Sequence, residues 1–266
     1  MTFGLSMSLT DYTSITELPA SLLTPDQLGR FAQRYAYAHT LARGRRVLEV
    51  ACGAGSGLNY LATTAAQVVG LDYTASVLTE AQKSAQVPLT QGDAQRLPYA
   101  RGSFDLVLCF EAIYYLEDYQ LFLAECRRVL APGGGVLICQ SNPGWPDFVP
   151  GALTTIYPTL PELTAGLTSA GFRDIKSYGA LPITTAGARQ KLVNRLRRWG
   201  TMVGILSWLS PLTTLLKRLS YGQLQPLPRA IDAAWVAMWQ ANLSLTPLSP
   251  TQPDRVHRVI YVEGRL

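Results

Sequence analysis

Residues 46–61 constrain this chain most: Arg46-Val-Leu-Glu-Val-Ala-Cys-Gly-Ala-Gly-Ser-Gly-Leu-Asn-Tyr-Leu61. An apolar run over 47–50, interrupted only by Glu49, enters a small-residue loop with glycines at 53, 55 and 57. Leu58 and Leu61 then resume at helical spacing. The pattern predicts a buried strand, a tight turn and a helix start. Glycine lets the turn adopt positive φ and lets the backbone approach a bound molecule. The following helix presents free N–H groups and the positive end of its dipole. Such a turn suits the polar part of a nucleotide-like cofactor at the carboxyl edge of a sheet. Alone, it does not exclude a plain tight turn or a dinucleotide site.

Later segments narrow the choice. Asp72 ends a second apolar run, Gln67–Asp72, and Asp93 ends a third that begins at Leu89. A fourth strand is predicted over 104–111, ending in Glu111. Helical segments lie between these runs, so a parallel sheet with right-handed crossovers is expected. In these residues the chain resembles the class I S-adenosylmethionine-dependent methyltransferases, of the small-molecule, type 11-like kind. The resemblance rests on Glu49-Val-Ala-Cys-Gly-Ala-Gly-Ser-Gly, Gly70-Leu-Asp, Gly92-Asp-Ala with Leu97-Pro98, Ser103-Phe-Asp-Leu-Val and Arg128-Val-Leu-Ala-Pro-Gly-Gly. Together they cover about 45–140. One departure is Ala51, which stands where the family usually has glycine. Alanine is expected to be small enough there.

The resemblance implies an α/β, Rossmann-like fold. It implies a seven-stranded, mostly parallel sheet of order 3-2-1-4-5-7-6, with helices on both faces. It also implies S-adenosylmethionine as cofactor and S-adenosylhomocysteine as product. Backbone N–H groups at Gly53 and Gly55, with Ala51 beside them, suit the methionine carboxylate. Glu49 suits the ammonium group, and the Phe110 carbonyl lies where the family contacts the same amine. Asp72 suits the ribose diol, because one carboxylate can accept from two neighbouring hydroxyls. Tyr73 can lie on the adenine face. Asp93 can accept from the adenine amino group, with the Ala94 N–H donating to the ring. Tyr35 resembles a family tyrosine that reaches the methionine end; as an amphipathic-helix residue it also reads as a core contact. Glu111, Tyr114 and Tyr115 are the candidates for catalysis, although pocket lining or packing is the favoured reading of the two tyrosines.

Composition supports one large core. Apolar residues make up 48% of the 266 and charged residues 15%, which argues against disorder. No apolar run reaches the length of about 18 residues needed to span a bilayer, and no signal-peptide pattern opens the chain. The four cysteines lack Cys-x-x-Cys spacing and read as core residues of a cytoplasmic protein. With only two histidines, His39 and His257, no metal site is expected.

The N-terminal 24 residues read as polar and irregular, followed by a covering helix over 25–42 with Thr24 as N-cap. Pro132-Gly-Gly-Gly135 reads as a turn into the fifth strand. The core is expected to comprise 1–178 and 255–266, with a helical insertion over 179–254. That insertion should hold helices near 186–207, 211–220 and 229–241. Residues 175–230 carry nine of the 23 Lys and Arg residues and none of the 18 Asp and Glu residues. Three readings compete for it: a substrate-covering cap, peripheral membrane or lipid contact through 189–218, and a homodimer face. Nucleic acid is not expected, since aromatics are not interleaved with the basic residues. The expected function is O-methylation of a small or medium organic acceptor such as a natural product, sugar or carboxylate. Alternatives are N- or C-methylation of a lipid-like acceptor, a nicotinamide-dependent oxidoreductase, and a catalytically silent relative.

Overall fold

The computed structural model describes residues 10–183, 224–240 and 244–266. After a short strand β1 (Leu22–Leu23), Thr24 caps helix α1 (Pro25–Ala42). The Thr24 side chain accepts from the Gln27 amide, and the Gln27 side chain reaches back to the Thr24 amide. Donors that a helix start leaves open are thus satisfied in both directions. The chain then alternates: β2 (Arg46–Val50), α2 (Leu58–Ala62), β3 (Gln67–Asp72), α3 (Ala75–Ala81), β4 (Leu89–Gln91) and β5 (Phe104–Phe110). A 3-10 turn (Ile113–Tyr115) precedes α4 (Tyr119–Val129), β6 (Leu130–Ser141), α5 (Leu160–Ser169) and β7 (Arg173–Pro182). The last elements are β8 (Gln225–Pro226), α6 (Ala233–Gln240), β9 (Thr246–Leu248) and β10 (His257–Arg265).

The main sheet has the order β4-β3-β2-β5-β6-β10-β7-β9. The five strands from β4 to β6 are parallel neighbours. β10 runs antiparallel to β6 and to β7, and β9 antiparallel to β7. The expected seven-stranded order 3-2-1-4-5-7-6 is therefore corrected to eight strands, with β9 added outside β7. That strand comes from the segment expected to be a mostly helical insertion. Its Pro247 lies at the sheet edge, where a missing N–H is tolerated.

Three further boundaries differ from the sequence reading. β7 continues to Pro182, so the break expected at 178/179 falls inside a strand. Pro132 to Gly135 belong to β6 rather than to a turn, with the register against β5 shifting between Phe104 and Leu106. Residues 10–24 are not wholly irregular, because β1 pairs antiparallel with β8. The helices expected over 186–207 and 211–220, and the basic residues of 189–218, lie outside the described residues.

Both faces of the sheet are covered, as its near-continuous apolar strands require. Val47, Leu106, Leu108, Cys139 and Tyr261 belong to the core shared with α1 and α2. Leu48, Val50, Val107, Ile138 and Ile260 belong to the core shared with α4 and α5. The alternation is the period of two that a strand imposes. α1 is fixed to the sheet by polar contacts as well. Tyr37 donates to Glu263 Oε2 at 2.8 Å, and Tyr261 donates to Gln33 at 3.3 Å. Trp235 of α6 meets Phe31 of α1 edge to face at 6.0 Å. Tyr37→Phe removes the donor to Oε2 of buried Glu263, leaving Arg265 on Oε1, and should cost about 1–3 kcal/mol, read as a lower denaturant midpoint.

Candidate active site

The carboxyl ends of β2, β3, β5 and β6 open into a cavity of about 450 Å³, roofed by α1 and by residues 10–17. Such a volume is ordinary for a small-molecule site. Every residue singled out from the sequence lines it: Tyr35, Glu49, Ala51, Gly53, Gly55, Asp72, Tyr73, Asp93, Ala94, Phe110, Glu111, Tyr114 and Tyr115.

The loop after β2 differs in detail from its sequence reading. Gly53 and Gly55 adopt φ of +58° and +71°, as expected of a tight turn. Their amides are already used. Gly53 N donates to Asp72 Oδ2 at 2.9 Å, and Gly55 N donates to the Cys52 carbonyl at 3.1 Å. They are therefore not open donors for a cofactor carboxylate. One donor of the loop without a partner is Ser56 Oγ, which is buried, in a residue that lines the cavity. Ala51 has φ of +56°, so its methyl group is not harmless. A left-handed alanine costs about 1–2 kcal/mol that glycine avoids.

Gly57 is not a positive-φ residue; its φ is −97°. Its role is space, because a Cβ there would lie 1.9 Å from the Tyr35 ring. Gly57→Ala should push that ring away and destabilise the fold by about 1–3 kcal/mol. Thermal unfolding together with calorimetry should show lower stability and weaker cofactor binding in the same variant.

The acids are held in distinct ways. Glu49 is buried, and its Oε1 accepts from Tyr35 Oη at 2.6 Å. Its Oε2 is buried without a partner, which leaves an acceptor for an ammonium group. Burial pushes the Glu49 carboxyl up to about 7, against the opposing pull of the Tyr35 hydroxyl and Arg34. Asp72 accepts from the Gly53 and Thr74 amides, each at 2.9 Å, and burial raises its carboxyl too. Each Asp72 oxygen keeps a lone pair for a further donor. Asp93 accepts from the Gln95 amide at 2.8 Å through Oδ1. Tyr73 meets Tyr12 edge to face at 6.2 Å.

Ionised Glu49 is the form that attracts an ammonium group. Above about 7 it is charged, and below that value it takes up a proton. Affinity for S-adenosylhomocysteine should therefore fall as pH is lowered from 7.5 to 6, by up to about tenfold per pH unit below the transition. Glu49→Gln should flatten that part of the profile in calorimetry.

Glu111 follows β5 with φ of +50°, a strained position for a glutamate. Its Oε2 accepts from Tyr114 Oη at 2.9 Å, from Ser141 N at 3.0 Å and from Ser141 Oγ at 3.1 Å. Tyr114 is thus a donor to Glu111 and stacks on Tyr157 at 4.2 Å. Burial raises its hydroxyl well above the ordinary tyrosine value, so Tyr114 is a poor base. Tyr115 is pushed up to about 12 by burial and meets Tyr12 at 5.5 Å.

Sequence reasoning missed Tyr12, Thr16, Glu17, Arg30, Ser56 and Ser141, all of which line the cavity. Arg34 lines it too. The spacing of Gln27, Arg30, Phe31 and Arg34 marks one helical face and was the available signal. Residues 10–17 carry no periodic pattern that could have placed them. Among the described residues no group of three or more His, Cys, Asp or Glu side chains is arranged to hold a metal ion. No described helix is long and apolar enough to cross a membrane.

Residues 48–138 match a family profile described as "Methyltransferase domain". This stretch, with its glycine loop, two strand-end acids and parallel sheet, is a class I S-adenosylmethionine-dependent methyltransferase domain. The chain is 38% identical over 142 residues to a "Probable S-adenosylmethionine-dependent methyltransferase" of Mycolicibacterium smegmatis, covering 51% of this chain and 54% of that one. It is 38% identical over 127 residues to a fatty-acid O-methyltransferase of the same organism, covering 44% and 46%. It is 40% identical over 110 residues to phthiotriol/phenolphthiotriol dimycocerosates methyltransferase 1 of Mycobacterium ulcerans, covering 40% and 41%. The chain thus spans about half the length of these curated relatives. The fold is similar to that of a Thermotoga maritima SAM-dependent methyltransferase, with TM-score 0.56 and 16% identity over 90% of this chain and 91% of that one. These matches give no support to the nicotinamide oxidoreductase alternative.

Proposed function

We propose that the chain is an S-adenosylmethionine-dependent O-methyltransferase whose acceptor is a small or medium organic molecule with an apolar body. The observation that carries this reading is the cavity itself. Partner-free Glu49 Oε2, Ser56 Oγ and the open lone pairs of Asp72 lie on one side of it, and Glu111 lies on the other. The first three can hold the ammonium, carboxylate and ribose groups of the cofactor. When bound, S-adenosylmethionine supplies an electrophilic methyl group on a sulfonium sulfur. The protein's task is then alignment of the acceptor and exclusion of water. Relatives named for fatty-acid and dimycocerosate methylation support an apolar acceptor. Phe31, Phe110 and Ala112 offer apolar wall for it.

The domain organisation is part of the same proposal. Residues 179–254 are read as a cap at the carboxyl edge. Supporting this, Ile231 N donates to the Ser56 carbonyl of the glycine loop at 2.9 Å, and Arg229 pairs with Glu80 at 2.7 Å. Residues 224–240 do not line the cavity, whereas residues 10–17 do, so much of the described roof is N-terminal.

Calorimetry with S-adenosylhomocysteine tests the cofactor assignment. Asp72→Ala should weaken binding by about 1.5–3 kcal/mol for the loss of hydrogen bonds to a charged acceptor. Asp72→Asn keeps an oxygen for one loop amide and should fall between. Unchanged affinity in both variants would remove Asp72 from the ribose site.

A further inference from the structure

We infer that the acceptor is a carboxylate, read by Arg30 and Arg34 from the helical roof of the cavity. This rests on the methyltransferase reading above and names the substrate class for it. Both arginines line the cavity. Arg34 is 8% exposed, and the Nε atoms of Arg30 and Arg34 are buried without partners. A buried guanidinium with an unused N–H is a ready donor for an anion. The Arg34 guanidinium lies 4.3 Å over the Phe31 ring, which steadies its plane.

A carboxylate already rests on Arg34. Glu17, from the N-terminal segment, accepts from Arg34 Nη2 at 2.8 Å inside the cavity. The other acids nearby are engaged elsewhere: Glu49 by Tyr35, Asp72 by two amides, and Glu111 by Tyr114 and Ser141. Asp26 shares Arg30 at 3.2 Å, leaving its Nε free. An incoming carboxylate can therefore take the place of Glu17 without breaking any of those bonds.

The chemistry agrees with this reading. No His or Lys lines the cavity among the described residues, Tyr114 Oη donates its hydrogen bond to Glu111, and Glu111 Oε2 already accepts three hydrogen bonds. A hydroxyl acceptor would need a base, whereas a carboxylate has no proton to lose. Its oxygen forms the new O–CH₃ bond while the S–CH₃ bond breaks, with the electron pair left on sulfur. Anion and sulfonium are both neutralised, which a desolvated cavity favours.

The test is calorimetric titration of decanoate into the full chain with S-adenosylhomocysteine present. Decan-1-ol is the uncharged comparison. Decanoate should bind more tightly than decan-1-ol. Arg30→Gln and Arg34→Gln should each weaken decanoate by about tenfold or more, the loss of a charge-assisted hydrogen bond. Both variants should leave decan-1-ol unchanged, and Arg30→Gln should also leave S-adenosylhomocysteine unchanged. Glu17→Gln should tighten decanoate, because the internal competitor loses its charge. Decanoate no tighter than decan-1-ol, or insensitive to Arg30→Gln, overturns the inference while the methyltransferase reading stands. So does Arg34→Gln weakening S-adenosylhomocysteine with decanoate unmoved, which would assign Arg34 to the cofactor. Failure of S-adenosylhomocysteine to bind the unmodified chain overturns both readings.

Discussion

A carboxylate buried at the end of the central strand must find a donor, and Glu49 finds it in Tyr35 at 2.6 Å. An unpaired charge there would be expensive. The bond ties α1 to β2 and lays the helix across the carboxyl edge of the sheet. It brings Arg34 close enough to oppose the upward push of burial on Glu49. It also sets the demand on Gly57, since the Tyr35 ring occupies the volume a Cβ would need. The ring meets Phe110 edge to face at 5.5 Å, so the same residue closes the cavity against β5. One hydrogen bond therefore couples the roof, the glycine loop and the acid that faces the ligand.

The cavity divides by chemistry. On the side of β2 and β3, acids are buried but keep open lone pairs, as recognition of ammonium and hydroxyl groups requires. On the side of β5 and β6, Glu111 is tied down by three donors on one oxygen. Its strained backbone persists because β6 and the 3-10 turn hold it from both sides. The roof supplies the cations. This arrangement favours placing an acceptor over activating it, which suits a reaction whose electrophile arrives already activated.

Much of this was legible in the sequence. Apolar runs at 47–50, 67–72 and 104–110 are nearly unbroken and bounded by turns, and each lies in a strand. Strand-end acids gathered in one cavity because parallel strands deliver their carboxyl ends to one edge. Other features had no local signature. β9 is three residues long and is made by its pairing with β7, not by its own pattern. The use of the Gly53 amide depends on Asp72, nineteen residues away. Gly57 looked like a turn glycine because sequence cannot show a ring that packs against it from α1. Residues 10–17 enter the roof through tertiary contacts such as Thr13 with Ser76. Ala51 was judged by size, and its φ, which decides its cost, is invisible in sequence.

A crystal structure of the chain with S-adenosylhomocysteine tests the central claim most directly. The account expects the ribose hydroxyls on Asp72, the ammonium on Glu49 Oε2, and Tyr35 still donating to Glu49 Oε1. It also expects Arg30 and the Nε of Arg34 to remain free of the ligand, facing the space beyond its sulfur. A ligand seated away from Asp72 and Glu49, or Tyr35 swung off Glu49 with α1 displaced, would contradict it.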